Sequence, residues 1–204
     1  MKNDSNIFFL AMAHISLFFK VKNGQILIYG ADSYILSAML LDMGASHITI
    51  FDYARLRSTH PKITVLSHAE FKQSYLAGKL PQFDAFFGLN FYHRLGLGRF
   101  GDGLNPWSDR INMARAYCLS KPGARGLIYE PSGFDAVVYN THRVYGPLQM
   151  SHLCANWNVL YSNFKAFPNG RQSDLTGFCE GKDANPLECF KAVTVVEKPK
   201  CDLP

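Results

Sequence analysis

The apolar run Ile26-Leu27-Ile28-Tyr29, broken by Gly30 and followed by a second β-rich run, Ile48-Thr49-Ile50-Phe51, leaves this chain few folds to adopt. Between the two runs, Ile35, Leu36, Met39, Leu40 and Met43 recur at helical spacing and form an apolar stripe that can lie on a sheet. Asp32 or Ser33 can accept hydrogen bonds from the first amides of that helix, and Gly44 can take the left-handed conformation that ends it. Two parallel strands joined by a helix need a right-handed crossover. The stretch from Gln25 to Tyr53 is therefore one βαβ unit.

The pattern then repeats. Lys62–Leu66 reads as a third strand, and residues 67–78 as a helix in which Ser67 and Glu70 have capping-box spacing. Phe83–Phe87 is continuously apolar, as a buried parallel strand should be. A helix over Asp109–Leu119 leads through Lys121-Pro-Gly-Ala124 to a fifth strand, Leu127–Glu130. Past Pro131 the rhythm changes: residues 132–144 read as an insertion or long loop, residues 148–155 as a helix, and 157–164 and 189–197 as two closing strands. A long surface connection over residues 166–186 separates those strands. Alternating strands and helices give an α/β fold with one Rossmann-like doubly wound sheet. Two closing strands after five βα units predict seven strands, mostly parallel, whose end is an antiparallel pair. That is the class I methyltransferase architecture, not the dinucleotide-binding one.

Length and composition fit this reading. At 204 residues the chain suffices for one well-buried domain. We divide it into an N-terminal apolar extension, residues 1–23, and the sheet domain, residues 24–204. The run IFFLAMAHISLFF over residues 7–19 is too short to cross a membrane. It reads as a helix or strand packed on the domain, with secretory entry as the alternative because Lys2 precedes it and Ala11-Met12-Ala13 resembles a cleavage site. A cytoplasmic location is the favoured expectation. The five cysteines are odd in number and lack a Cys-x-x-Cys pair, and the seven histidines lack ligand spacing, so no metal site is expected. The formal charge of +5 is spread along the chain without a dense basic run, which disfavours a nucleic-acid partner. Oligomeric state leaves no mark on the sequence.

Ligands of open α/β sheets bind outside the carboxyl ends of the strands. On this reading those ends carry Gly30-Ala31-Asp32, Asp52-Tyr53, His68-Ala69, Gly88-Leu89-Asn90 and Glu130-Pro131. Gly30 lets a ligand approach the backbone. Asp52, a little over twenty residues later, can accept hydrogen bonds from a ribose diol. Two loops hang over this edge. Residues 93–106 hold four glycines in eight positions with Arg94 and Arg99, and residues 140–147 gather Asn140, His142, Arg143 and Tyr145. They read as walls for cofactor or substrate, or as solvated lids.

These loops also carry a family resemblance. Gly96-Leu-Gly-Arg-Phe-Gly-Asp102, Lys121-Pro122-Gly123 and Tyr139-Asn-Thr-His-Arg-Val-Tyr-Gly146 resemble the signature blocks of the Caenorhabditis-type domain of unknown function, over roughly Gly24 to Leu160. That family in turn resembles class I S-adenosylmethionine-dependent methyltransferases. The resemblance implies that Gly30 matches the cofactor-loop glycine, Asp52 the acid after the second strand and His68 the turn flanking adenine, with Asn90 facing the methyl donor. Asp32 completes the short turn Tyr29-Gly30-Ala31-Asp32, which stands where methyltransferases usually have a richer glycine loop.

The leading expectation is methyl transfer from S-adenosylmethionine to a small or glycan-like acceptor, a reaction in which alignment and exclusion of water do most of the work. His93 or His142 offers an imidazole, the side chain suited to take a proton, and Arg99 and Arg143, with Asp102, Asn140 and Tyr145, can hold the acceptor. The alternative for His142 and Arg143 is that they stitch the loop to the sheet, and for Arg99 and Asp102 that they form a structural pair. The competing function is a non-catalytic binding or scaffold protein on the same fold. Nicotinamide chemistry is disfavoured because the turn after Gly30 lacks the further glycines that admit a pyrophosphate.

Overall fold

A computed structural model describes residues 13–30, 34–53, 57–99, 101–163 and 191–200. Residues 13–18 are helical (α1). They are followed by β1 (Gln25–Tyr29), α2 (Ile35–Asp42), β2 (His47–Phe51), β3 (Ile63–Leu66), α3 (His68–Leu76), β4 (Phe83–Leu89), α4 (Ser108–Leu119), β5 (Ser120–Pro131), β6 (Ala136–Val138), β7 (His142–Val144), α5 (Pro147–Leu153), β8 (Asn158–Ser162) and β9 (Lys191–Glu197). A 3-10 turn, Tyr92–Arg94, follows β4.

Seven strands form one sheet in the order β3-β2-β1-β4-β5-β9-β8. The strands β1 to β5 run parallel, whereas β9 is antiparallel to both of its neighbours, β5 and β8. The end of the sheet is thus the expected antiparallel pair, with β9 one place in from the edge.

Alternating side chains build two cores. Leu27 and Tyr29 of β1 join Phe51, Phe86, Phe71 of α3 and Met113, Ala116 and Leu119 of α4 on one face. Ile26 and Ile28 join Ile48, Ile50, Phe87 and Leu40 of α2 on the other. Because both faces are covered, the central strands read as near-continuous apolar runs. Ile15 and Phe19, at and just after α1, are buried in the second core, so the apolar N-terminal run packs on the sheet where it is described.

Local signals explain most element ends. Ser67 caps α3, accepting from the Glu70 amide while the Glu70 carboxylate accepts from the Ser67 amide at 2.8 Å. Gly44 sits at φ +90° after α2, as expected. The start of α2 differs from expectation: Tyr34 holds the cap position without a side-chain bond, and Asp32 and Ser33 lie outside the described residues.

Two stretches need correction. Residues 132–144 are not a plain loop, since β6 and β7 pair as an antiparallel hairpin within them. Strand β5 begins seven residues earlier than its apolar run, at Ser120, and its irregular pairing with β4 between Phe83 and Ala85 lets Pro122 and Gly123 be accommodated. The predicted connection over 166–186 falls outside the described residues.

Candidate functional site

The sheet ladder continues one rung past several strands at the carboxyl edge, which fixes the turns there. The Gly30 amide donates to Phe51 O at 2.8 Å, Asp52 to Leu66 O at 3.2 Å and Asn90 to Tyr129 O at 2.9 Å. Gly30, Asp52 and Asn90 therefore stand at the ends of β1, β2 and β4, as the sequence predicts. Asp32 lies outside the described residues.

Gly30 has φ +73°, and a Cβ built there would lie 2.9 Å from Phe91 Cδ2. The Phe91 ring thus rests on the glycine. It belongs to an aromatic shelf: its centroid is 5.5 Å from Tyr29, 5.4 Å from Phe51 and 6.1 Å from Tyr53. Tyr53 in turn stacks on His68 at 5.1 Å with 17° between the rings. Asn90, at φ +54°, holds its Oδ1 buried with no hydrogen-bond partner among the described residues.

Beside this shelf lies a cleft of about 250 Å³ between the ends of β2 and β3 and the helices α3 and α4. Tyr53, His68 and Asp102 meet there with Lys72, Asn112 and Arg115. Two of these, His68 and Asp102, are predicted site residues. Lys72 and Arg115 were missed, although a periodicity marks them: Lys72 follows His68 by four positions, and Ser108, Asn112 and Arg115 share one face of α4. Burial, reinforced by the Asp102 charge, pushes the Tyr53 hydroxyl up to about 12. Desolvation, then the cations Arg115 and Lys72, hold His68 below its ordinary value against the opposing pull of Asp102.

Other predicted residues are gathered behind the edge. Glu130, fully buried at the end of β5, accepts from the amides of Phe91 at 3.0 Å, Tyr92 at 2.8 Å and His93 at 3.3 Å, and from His93 Nδ1 at 2.5 Å. Arg94 Nε donates to His93 Nε2 at 3.0 Å, so the His93 proton resides on Nδ1. The His142 ring lies 6.2 Å from that of His93, edge on. Arg143 donates to Leu95 O at 2.5 Å and to Pro106 O at 3.2 Å, with Nε 3.7 Å from Asp109 Oδ2. The Tyr145 hydroxyl donates to the same Asp109 oxygen at 3.0 Å. His93, His142, Arg143, Tyr145 and Asp109 are all buried. Here the two glycine-rich and histidine-bearing loops are stitched together and to β5. Asp102 Oδ2 accepts from the Gly96 amide and tightens the same loop. Arg99 and Asn140 are exposed, Asn140 at φ +55° in the turn of the β6–β7 hairpin.

A family model described as Caenorhabditis protein of unknown function, DUF268, matches residues 22–185. The chain belongs to that family. No curated protein matches this DUF268 chain in sequence. Among solved structures it is similar to a 1,6-didemethyltoxoflavin-N1-methyltransferase from Burkholderia thailandensis, with TM-score 0.58 and 14% identity over 93% of this chain and 76% of that one. A SAM-dependent methyltransferase from Methanosarcina mazei gives 0.59 and 13% over 91% and 96%. The [4+2]-cyclase SpnF gives 0.62 and 11% over 94% and 80%. At such identities the likeness is one of fold. This DUF268 chain has the class I methyltransferase fold, and among its described residues no helix is long and apolar enough to cross a membrane and no cluster of His, Cys, Asp and Glu could hold a metal ion.

Proposed function

We propose that this chain is an S-adenosylmethionine-dependent methyltransferase that acts on a small or glycan-like acceptor and binds its donor across the carboxyl ends of β1, β2 and β4. The observation that carries the reading is the placement of Asp52 at the end of β2 in a sheet of this strand order, where a carboxylate meets a ribose diol. The donor would supply an electrophilic methyl group on a sulfonium.

The residues suit one end of such a ligand better than the other. Asp52, the Tyr53 and His68 rings and the adjoining cleft offer an acid and an aromatic wall, the chemistry that holds a nucleoside. Asn90 Oδ1, buried without a partner among the described residues, is an acceptor to which a ligand could donate. At the glycine end, Phe91 covers the backbone that a ligand would approach. Binding there requires that ring to swing aside. His93 and His142 are held in the buried stitching, so a role in proton removal would require His93 to exchange Arg94 for the reacting group.

The experiment is calorimetric titration of the purified chain with S-adenosylmethionine and its demethylated product, with Asp52→Ala alongside. Micromolar binding, weakened about tenfold or more by the substitution, supports the reading. Absence of heat with folded wild-type chain moves the assignment to the competing function, a non-catalytic binding or scaffold protein. The Phe91 ring over Gly30 is the observation that favours that second reading.

A further inference from the structure

The amino edge of the sheet, opposite the candidate donor site, holds a cleft of about 430 Å³, larger than the one at the carboxyl edge. It is walled by the segment after α1, the starts of β1, β4 and β5, and the end of the antiparallel strand β9. Lys20, Lys22, Lys121, Arg125 and Lys200 line it, against two carboxylates among the described residues, Asp84 and Glu197.

Both carboxylates are already engaged. Asp84 accepts from the Gln25 amide at 2.8 Å through one oxygen and from Lys121 Nζ at 2.7 Å through the other. Glu197 accepts from Arg125 Nε at 3.0 Å, and Arg125 also donates to Phe18 O at 2.6 Å. Lys20, Lys22 and Lys200 have no carboxylate partner among the described residues. The stem of Lys200 crosses Gly123, its Cε 3.0 Å from where a Cβ on that glycine would stand, and both residues line the cleft. Unneutralised cations around a concavity focus a positive potential and raise the local concentration of anions.

We propose that this cleft binds a small polyanion of the condensed-phosphate class. Three separate chain segments contribute the cations, so a ligand with several linked charges can engage more of them at once than one compact monoanion. Lysines suit such a ligand because each acts as a mobile point charge toward phosphate oxygens. The site is independent of methyl-donor binding, being built at the other end of the strands.

The test is calorimetry on the full chain at low salt, with inorganic pyrophosphate, orthophosphate, citrate and a short single-stranded oligonucleotide as probes. Pyrophosphate should bind about tenfold or more tightly than orthophosphate, with an affinity that falls steeply as salt is added. Lys22→Ala combined with Lys200→Ala should weaken it about tenfold or more, since both side chains are exposed and circular dichroism should show the fold unchanged. Lys79→Ala, exposed on the turn after α3, should leave binding as it was. Absence of pyrophosphate binding, binding indifferent to the double substitution, or citrate or oligonucleotide binding tighter than pyrophosphate would each overturn the proposal.

Discussion

His93 and Glu130 are locked together behind the carboxyl edge, Nδ1 to Oε2 at 2.5 Å, with side-chain exposures of 5% and 0%. The Glu130 carboxylate also collects three successive amides of the turn after β4, so a single side chain from β5 holds the Phe91–His93 turn in place. Replacing it with alanine strands those amides and the His93 N–H away from water. Glu130→Ala should therefore cost about 3–5 kcal/mol of unfolding free energy, read from urea denaturation. Glu130→Gln, which keeps one carbonyl oxygen, should cost less.

A second buried carboxylate, Asp109, organises the other loop. It accepts from Tyr145 at 3.0 Å and faces Arg143 Nε at 3.7 Å. Tyr145→Phe removes one neutral donor and should cost about 1–2 kcal/mol. Arg143→Met leaves the carboxylate without its cation and also frees two carbonyls, so about 3–5 kcal/mol is expected. Thermal melts that rank the two substitutions in the opposite order would show that Arg143 is not what stabilises Asp109.

The strands and helices of the sheet domain were legible because they are written in local patterns. Ile26–Tyr29 and Ile48–Phe51 are apolar on both faces, and Ser67 with Glu70 announces a helix start within four residues. The site was less legible, for a physical reason. Asn140-Thr-His-Arg looks polar in sequence, yet His142 and Arg143 are buried, and Arg143 donates to carbonyls 48 and 37 residues away, those of Leu95 and Pro106. Such partners have no spacing rule. The same holds for α5, whose first amides bond to Asp135 from the preceding loop, at 2.8 Å for Gly146 and 2.9 Å for Gln149. The amino-edge cleft was invisible because its cations come from residues 20–22, 121–125 and 200, none of them in a basic run.

Asp135 gives a clean check on that long-range cap. Asp135→Ala removes the acceptor of three amides and a negative charge at the helix start, and should cost about 1–2 kcal/mol. Asp135→Asn keeps the oxygen that accepts but not the charge and should recover part of that loss in the same urea titration.

Gly30 and Phe91 should be energetically coupled. Gly30→Ala places a Cβ in the left-handed region at about 1–2 kcal/mol and presses it into the Phe91 ring. In a Phe91→Ala background the overlap with the ring vanishes, and what remains is the backbone part and the tight 3.3 Å approach to the Cβ of residue 91. A double-mutant cycle should show an interaction of about 0.5–3 kcal/mol. On the proposed reading of the donor site, Phe91→Ala alone should also tighten S-adenosylmethionine binding, because no ring then has to leave Gly30 before a ligand can reach its backbone.

His68 sets the expected pH dependence of the cleft. Its pKa in the folded chain lies below the ordinary 6.5, from desolvation first and then from Arg115 and Lys72. An unfolded chain holds His68 near the ordinary value, so between the two pKa values the unfolded state binds more protons and stability rises with pH. This contribution is fully present above pH 6.5 and is lost as pH falls through the folded value. Since His68 is largely exposed, the effect on overall melting is small, and the direct readout is titration of its ring protons by NMR. Arg115→Gln should raise the His68 pKa toward the ordinary value, and Asp102→Asn, which removes the opposing charge, should lower it further. A His68 that titrates at or above the ordinary value in the wild-type chain, or that ignores both substitutions, would mean that the two cations and Asp102 do not share the cleft with it in solution.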